Sequence, residues 1–241
     1  MVRVVAGALA GLVLASGGVP AQERLPVEEV ERIVREYLLR EPEVLFEALQ
    51  ELQRRREAAE AERQKMLLEE RRSELVADPE DPVLGDPRGD ATLVVFSDYR
   101  CGYCRSMAPA LRSLLQQDRR LKLVIKEFPI LGPDSVTASR AALAARRQGR
   151  YAELHWALFQ SKDLSEGAIL DLARRLGLDA ERLARDMRDP AIERHLERVR
   201  ALADALGISG TPSFVVGDTL VPGAAPLARL VELIGRQRRK G

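Results

Sequence analysis

Two cysteines, Cys101 and Cys104, stand two residues apart in the stretch FSDYRCGYC, and the 241-residue chain has no others. Such a pair can hold a metal, staple a loop or exchange electrons. A structural zinc site wants four ligands, usually two such pairs. Here one pair is joined only by His155 and His195, forty residues apart, which is the wrong spacing for a zinc finger. Both histidines read as packed or half-exposed helix residues, and no metal or other cofactor is expected. As a staple, a four-residue loop removes little chain entropy, about 2 kcal/mol against roughly 3 for a fifteen-residue loop. A chain with 46% apolar residues does not need that gain. Redox chemistry explains more, and it depends on what positions the sulfurs.

The run LVVF, residues 93–96, is short and continuously apolar, as in a strand buried on both faces. LKLVIKEF, residues 121–128, is a second strand candidate. Between them Met107, Leu111, Leu114 and Leu115 have helical spacing. Strand, helix, strand makes a βαβ unit with a parallel pair. Cys101 then stands where a buried strand ends and a helix begins. A helix N-terminus carries unpaired N–H groups and partial positive charge, which stabilise a thiolate. The thiolate attacks disulfides, so the Cys101 sulfur is expected to be ionised and reachable. Cys104, one turn further on, is placed to resolve the mixed disulfide. Arg100 and Arg105 add positive charge nearby, and Pro109 removes one helical hydrogen bond just below. Lys126-Glu127 reads as a pair of surface ions at a strand end in preference to a proton carrier under the site.

The remaining elements frame this unit. The segment DPEDPVLGDPRGD, residues 78–90, is a domain boundary or a turn-rich lead into the sheet. Residues 134–206 form a block of several helices, punctuated by Gly149, Gly177 and Asp189-Pro190. SFVV, Gly217-Asp218 and TLV read as a hairpin, followed by a last helix opened by Pro226.

At the other end, residues 1–21 have the form of a secretory signal peptide. Arg3 precedes the apolar run Val4–Leu14, and Val19-Pro20-Ala21 fits a cleavage site. The mature protein is then exported, to a compartment where disulfides persist. Residues 22–77 read as a helical stalk. Val27, Val30, Val34 and Tyr37 make one apolar seam, and Leu45, Leu49 and Leu52 another beyond Pro42. QRRREAAEAERQK, residues 53–65, has high helix propensity and almost no apolar face. Such a helix either bridges two parts, solvated, or associates with its own copies. Net charge is only +1, so nothing global points to nucleic acid.

With strand–CxxC–helix, a helical insertion and GTPSFVVGD in view, residues 78–241 resemble the DsbA-type thioredoxin-fold disulfide oxidoreductases. The implied fold is α/β, thioredoxin-like, with a helical insertion at about 134–206 and an N-terminal stalk. The resemblance makes Cys101 and Cys104 catalytic and Pro212 a cis-proline facing them, with Thr211 before it. Gly102 and Tyr103 become supporting residues of the site. VREYLLREPEVLFEALQELQ, residues 34–53, is similar to the stalk of the ScsC-like exported disulfide isomerases, which implies a trimer through residues 26–76. Gly102-Tyr103 offers no positive charge between the cysteines, so a weakly oxidising dithiol is expected.

The leading expectation is an exported isomerase acting on secreted proteins with cysteines and kept reduced by a membrane partner. A monomeric DsbA-like oxidase is one alternative. Copper(I) binding or copper tolerance through the same thiols is another.

Overall fold

The structure is a computed structural model and describes residues 25–240. The signal peptide expected at residues 1–21 lies outside the described residues. The chain divides into two compact units, one ending at Arg56 and the other starting at Glu57.

In the first unit, helix α1 (Val27–Arg40) stops where the residue before Pro42 disfavours helix, and α2 (Glu43–Glu70) begins just after that proline. No residue of α1 is buried. Val30, Ile33, Val34, Tyr37, Leu45, Leu49 and Leu52 are all exposed, so both apolar seams are uncovered within one chain. Pairs such as Arg32 with Glu29 and Glu36, at 2.7 and 3.1 Å, support the helix locally. Each such pair contributes only about 0.2–0.5 kcal/mol.

The second unit is built on a five-stranded sheet of order β1-β3-β2-β4-β5. β2 (Ala91–Ser97) and β3 (Leu121–Glu127) pair in parallel, from Ala91 opposite Leu121 to Ser97 opposite Glu127. The crossover between them is α4 (Gly102–Gln117), which continues through Pro109. β4 (Ser213–Val216) runs antiparallel to β2, and β5 (Thr219–Pro222) completes the hairpin. Gly217 has φ 59° at the hairpin turn, a backbone conformation that favours glycine. The proline- and aspartate-rich lead also holds a short edge strand, β1 (Val83–Gly85), antiparallel to β3. Three residues amid turn-forming types give no periodic signal, and only Leu84 of the three is buried.

Side chains alternate across the sheet, and both faces are covered. Leu93, Val95, Leu123, Ile125 and Phe214 pack under α4, α5 (Pro133–Arg146), α6 (Tyr151–Gln160) and α7 (Glu166–Arg175). Val94, Phe96, Val124, Phe128 and Val215 pack against Leu68 of α2, Leu75 of α3 (Arg72–Val76), and Val199 and Leu202 of α9 (Pro190–Ala205). That double cover is why the strands read as continuous apolar runs. The helical block is α5 to α9, with α8 at Ala180–Asp186, and the chain closes with α10 (Leu227–Lys240). In α5, Ala138, Ala141, Ala142, Ala144 and Ala145 are fully buried, so the helix approaches its neighbours closely.

The double cover overturns one expectation. Lys126 and Glu127 are not surface ions; each is 1% exposed. Being adjacent on a strand, they project from opposite faces. Lys126 points to the α3/α9 face, where its ammonium pairs with the buried Asp81 carboxylate. Burial raises the Asp81 pKa to about 6, outweighing the attraction of Lys126. His195 is also buried, with Nε2 3.5 Å from Asp81 Oδ1, and burial lowers its pKa to about 4. Asp78, Asp81 and His195 bring ligand-type atoms within 4.8 Å of one another. Side-chain cations already serve this cluster, Lys126 at Asp81 and Arg198 at Asp78, where its Nε lies 3.7 Å from Oδ2.

Removing one partner of a buried pair strands the other charge. Lys126→Met is therefore expected to cost about 3–5 kcal/mol in urea unfolding, with Lys126→Met/Asp81→Leu recovering most of the loss. Additive losses in the double variant would show that the two side chains do not act as a pair.

Candidate active site

The site begins with Asp98, which follows β2 and is completely buried. Its carboxylate accepts from the N–H groups of Arg100, Ile130 and Leu131, at 2.7, 2.8 and 3.0 Å, and from Ser135 Oγ at 2.7 Å. One side chain thus ties the end of β2 to the segment after β3 and to the start of α5. The Cys101 N–H donates to the Asp98 carbonyl at 3.1 Å, which sets Cys101 as the residue capping α4.

Cys101 and Cys104 are free thiols 3.6 Å apart. Thr211-Pro212 is a cis peptide bond. The Cys101 thiol donates to the Thr211 carbonyl at 3.1 Å, and Pro212 is buried beside Cys104. The structure therefore brings Cys101, Cys104, Thr211 and Pro212 together, although Thr211 stands 107 positions after Cys104 in the chain. Gly102 and Tyr103 sit on the exposed rim, Tyr103 at 69% exposure.

Cys101 is more covered than a helix start implies, with 6% of its surface open against 3% for Cys104. The two arginines are engaged with backbone carbonyls around the site. Arg100 donates to the Leu131 carbonyl, and Arg105 to the carbonyls of Ser161 and Tyr99. They fix loops around the site. Burial pushes the Cys104 thiol up to about 12, and the neighbouring Cys101 adds to the shift. The Asp98 backbone N–H and the Ser97 hydroxyl partly oppose it. Cys104 is thus held protonated in the reduced pair.

Beneath Cys104 lies a cavity of about 10 Å³, room for a single water. Ser97, Met107, His155, Trp156, Phe159 and Pro212 line it with Cys104. Behind His155 is a polar cluster that sequence reasoning placed on the surface or left out. Tyr99 and Tyr151 donate to Glu127 Oε1 at 2.7 and 2.6 Å, and Ser139 donates to Oε2 at 2.8 Å. His155 Nδ1 lies 2.7 Å from the Tyr99 hydroxyl and 3.1 Å from that of Tyr151. Burial raises Glu127 to about 7 against the pull of these three hydroxyls, and lowers His155 to about 3. The available signal was KEF at the end of a strand expected to be covered on both faces. An ion pair read as surface cannot be surface there.

The arrangement suits a nucleophilic and a resolving thiol. It does not offer a wider metal site, since among the described residues the cysteines belong to no cluster of three or more metal-ligand side chains.

Residues 92–235 match the family model of the DSBA-like thioredoxin domain, and residues 27–59 match that of the copper resistance protein ScsC N-terminal domain. A thioredoxin-like oxidoreductase from Silicibacter pomeroyi is similar, with 47% identity and a TM-score of 0.67 over 70% of this chain and 98% of that one. A linker-deleted, substituted ScsC from Proteus mirabilis shows 28% identity and a TM-score of 0.69 over 92% and 100%. The Na(+)/H(+) antiporter NhaA 3 of Salinispora tropica is 33% identical over 143 residues, 58% of this chain. This chain spans 22% of that antiporter's length. No helix among the described residues is long and apolar enough to cross a membrane. The DsbA-type fold expected from the sequence and the family match agree: this chain belongs to the DSBA-like thioredoxin domain family, the fold of thiol–disulfide oxidoreductases.

Proposed function

We propose that this chain is an exported thiol–disulfide oxidoreductase that isomerises disulfides in secreted proteins. The observation that carries the reading is the Cys101 thiol at the start of α4, bonded to the Thr211 carbonyl, with Cys104 at 3.6 Å behind it. Cys101, as thiolate, attacks a client disulfide. A mixed disulfide forms and one client thiolate leaves. That thiolate then attacks elsewhere in the client, and a client thiolate displaces Cys101, so the client is rearranged with no net electron transfer. Alternatively Cys104 loses its proton and displaces the client from Cys101. The enzyme then carries the disulfide, the client both thiols, and a membrane partner must return two electrons.

Two features support isomerisation over simple oxidation. The segment between the cysteines supplies no cation to hold a thiolate. The seams of α1 and α2 are open on one chain, which suits a trimer through residues 26–76 that gathers several sites around one client. The family model over residues 27–59 is named for a copper resistance protein. Repair of copper-oxidised disulfides accounts for such a role without metal binding at the thiols.

Alkylation at neutral pH tests the thiol assignment. Iodoacetamide is expected to label Cys101 in the folded protein and Cys104 only after unfolding. Labelling of Cys104 first would reverse their roles. The isomerase reading is tested with a disulfide-scrambled client protein. Reduced enzyme restores its activity, and Cys101→Ser abolishes the recovery. Leu45→Asp/Leu49→Asp is expected to reduce the molar mass in solution to that of one chain. It should lose client refolding at least tenfold while still reducing a small peptide disulfide. Refolding unaffected by loss of assembly would leave an oxidoreductase with no isomerase geometry.

A further inference from the structure

Cys104 must lose a proton to resolve a mixed disulfide, yet its thiol is buried and faces no charged base. Four polar side chains at and behind its cavity form one connected chain. His155 lines the cavity together with Cys104, and its Nδ1 is bonded to the hydroxyls of Tyr99 and Tyr151. Both hydroxyls are bonded to the same oxygen of Glu127. We propose that His155, Tyr99 and Tyr151 form a proton relay that carries the Cys104 proton from the cavity to the carboxylate of Glu127. This rests on the oxidoreductase reading above and assigns the base of its second step.

Proton counting gives the relay a direction. Each phenol has one proton, and with Glu127 ionised both go to Oε1. The His155 nitrogen facing the phenols is then the protonated one, and it donates to their oxygens. Nε2 is left unprotonated, on a ring that borders the cavity. A proton leaving Cys104 arrives at Nε2, directly or across one water. The Nδ1 proton moves to a phenol oxygen, and that phenol's proton moves to Glu127. His155 ends as the other neutral tautomer, so the ring need not rest as a cation, which its burial disfavours. The electron pair left on Cys104 forms the bond to Cys101, and the client thiolate leaves with the pair of the broken bond.

Glu127 is suited to the task by its surroundings. It accepts from Tyr99 after β2, from Tyr151 of α6 and from Ser139 of α5, with the Asp98 charge also raising its pKa. None of these is a cation, so no ion pair locks the carboxylate in one state. Its pKa near 7 lets it take a proton and give it up at ordinary pH. Ser97, directly opposite Glu127 in the parallel register, borders the same cavity and bonds the Cys104 sulfur. The acid and the thiol therefore share one side of the sheet.

An aromatic disulfide that releases a coloured thiolate separates the two steps in stopped flow. Cys101 attack on it releases one equivalent, and Cys104 resolution releases the second while its proton goes to Glu127. In the unaltered protein the second phase is expected to speed up as pH rises and to level off near pH 7. Glu127→Gln keeps the size and most hydrogen bonds of the side chain. It should slow the second phase at least tenfold at pH 7 and remove the break, with the first phase within twofold. His155→Phe should do the same, and the lone tryptophan, Trp156, 4.7 Å from the imidazole, reports by its fluorescence that the packing is kept. A second phase within twofold of normal in Glu127→Gln, or a break near pH 7 that survives it, overturns the relay. Absence of both phases in the unaltered protein instead overturns the oxidoreductase reading.

Discussion

A parallel pair of strands covered on both faces shuts its C-terminal end off from bulk solvent, and that constraint organises the molecule. Every polar side chain carried there must find a partner or change its protonation state. Lys126 meets the demand on one face by pairing with Asp81, and Glu127 meets it on the other by accepting from three hydroxyls. Adjacent residues thus serve opposite sides of one sheet. The Lys126 side ties the lead-in segment and α9 to the sheet. The Glu127 side, where α4 begins, sets the electrostatics beneath the cysteines.

The same constraint explains why the two thiols differ. Asp98, with four donors on its carboxylate, holds the turn that presents Cys101 at the first turn of α4. One helical turn later Cys104 borders the internal cavity, and burial, with the neighbouring Cys101 adding to the shift, holds it as a thiol. Position along one helix, with no change of residue type, separates the sulfur that caps the helix and bonds Thr211 from the sulfur that borders the cavity. The Thr211 carbonyl, brought in by β4, completes the outer side.

Much of this was legible in the sequence, for a physical reason. LVVF, the helical spacing from Met107 to Leu114, and LKLVI are local patterns whose period states the structure directly. The hairpin at Gly217 and the stops of the helical block are local chemistry of the same kind. The edge strand at Val83–Gly85 was not legible, because its pairing with β3 is made across thirty-odd residues and its own types favour turns. The buried cluster failed differently. Nothing in KEF states that Tyr151 and His155, from the helical insertion, arrive over that strand end. The covered strand did exclude a solvated Glu127, and following that one inference through would have placed the acid inside.

The stalk poses the opposite problem, too little cover instead of too much. α1 buries no residue, and isolated helices of such length are marginal in water even with favourable pairs along them. Charge pairs of a few tenths of a kcal/mol each cannot replace an apolar interface. The catalytic unit has the reverse economy, with its core closed on both sides of the sheet without help from residues before Glu57. Assembly is therefore expected to stabilise the stalk and to leave the chemistry of a single site unchanged. On the trimeric isomerase reading proposed above, multiplying sites around one client would change which disulfides are reached, while the thiol pair, its cavity and its acid would decide how fast each is exchanged.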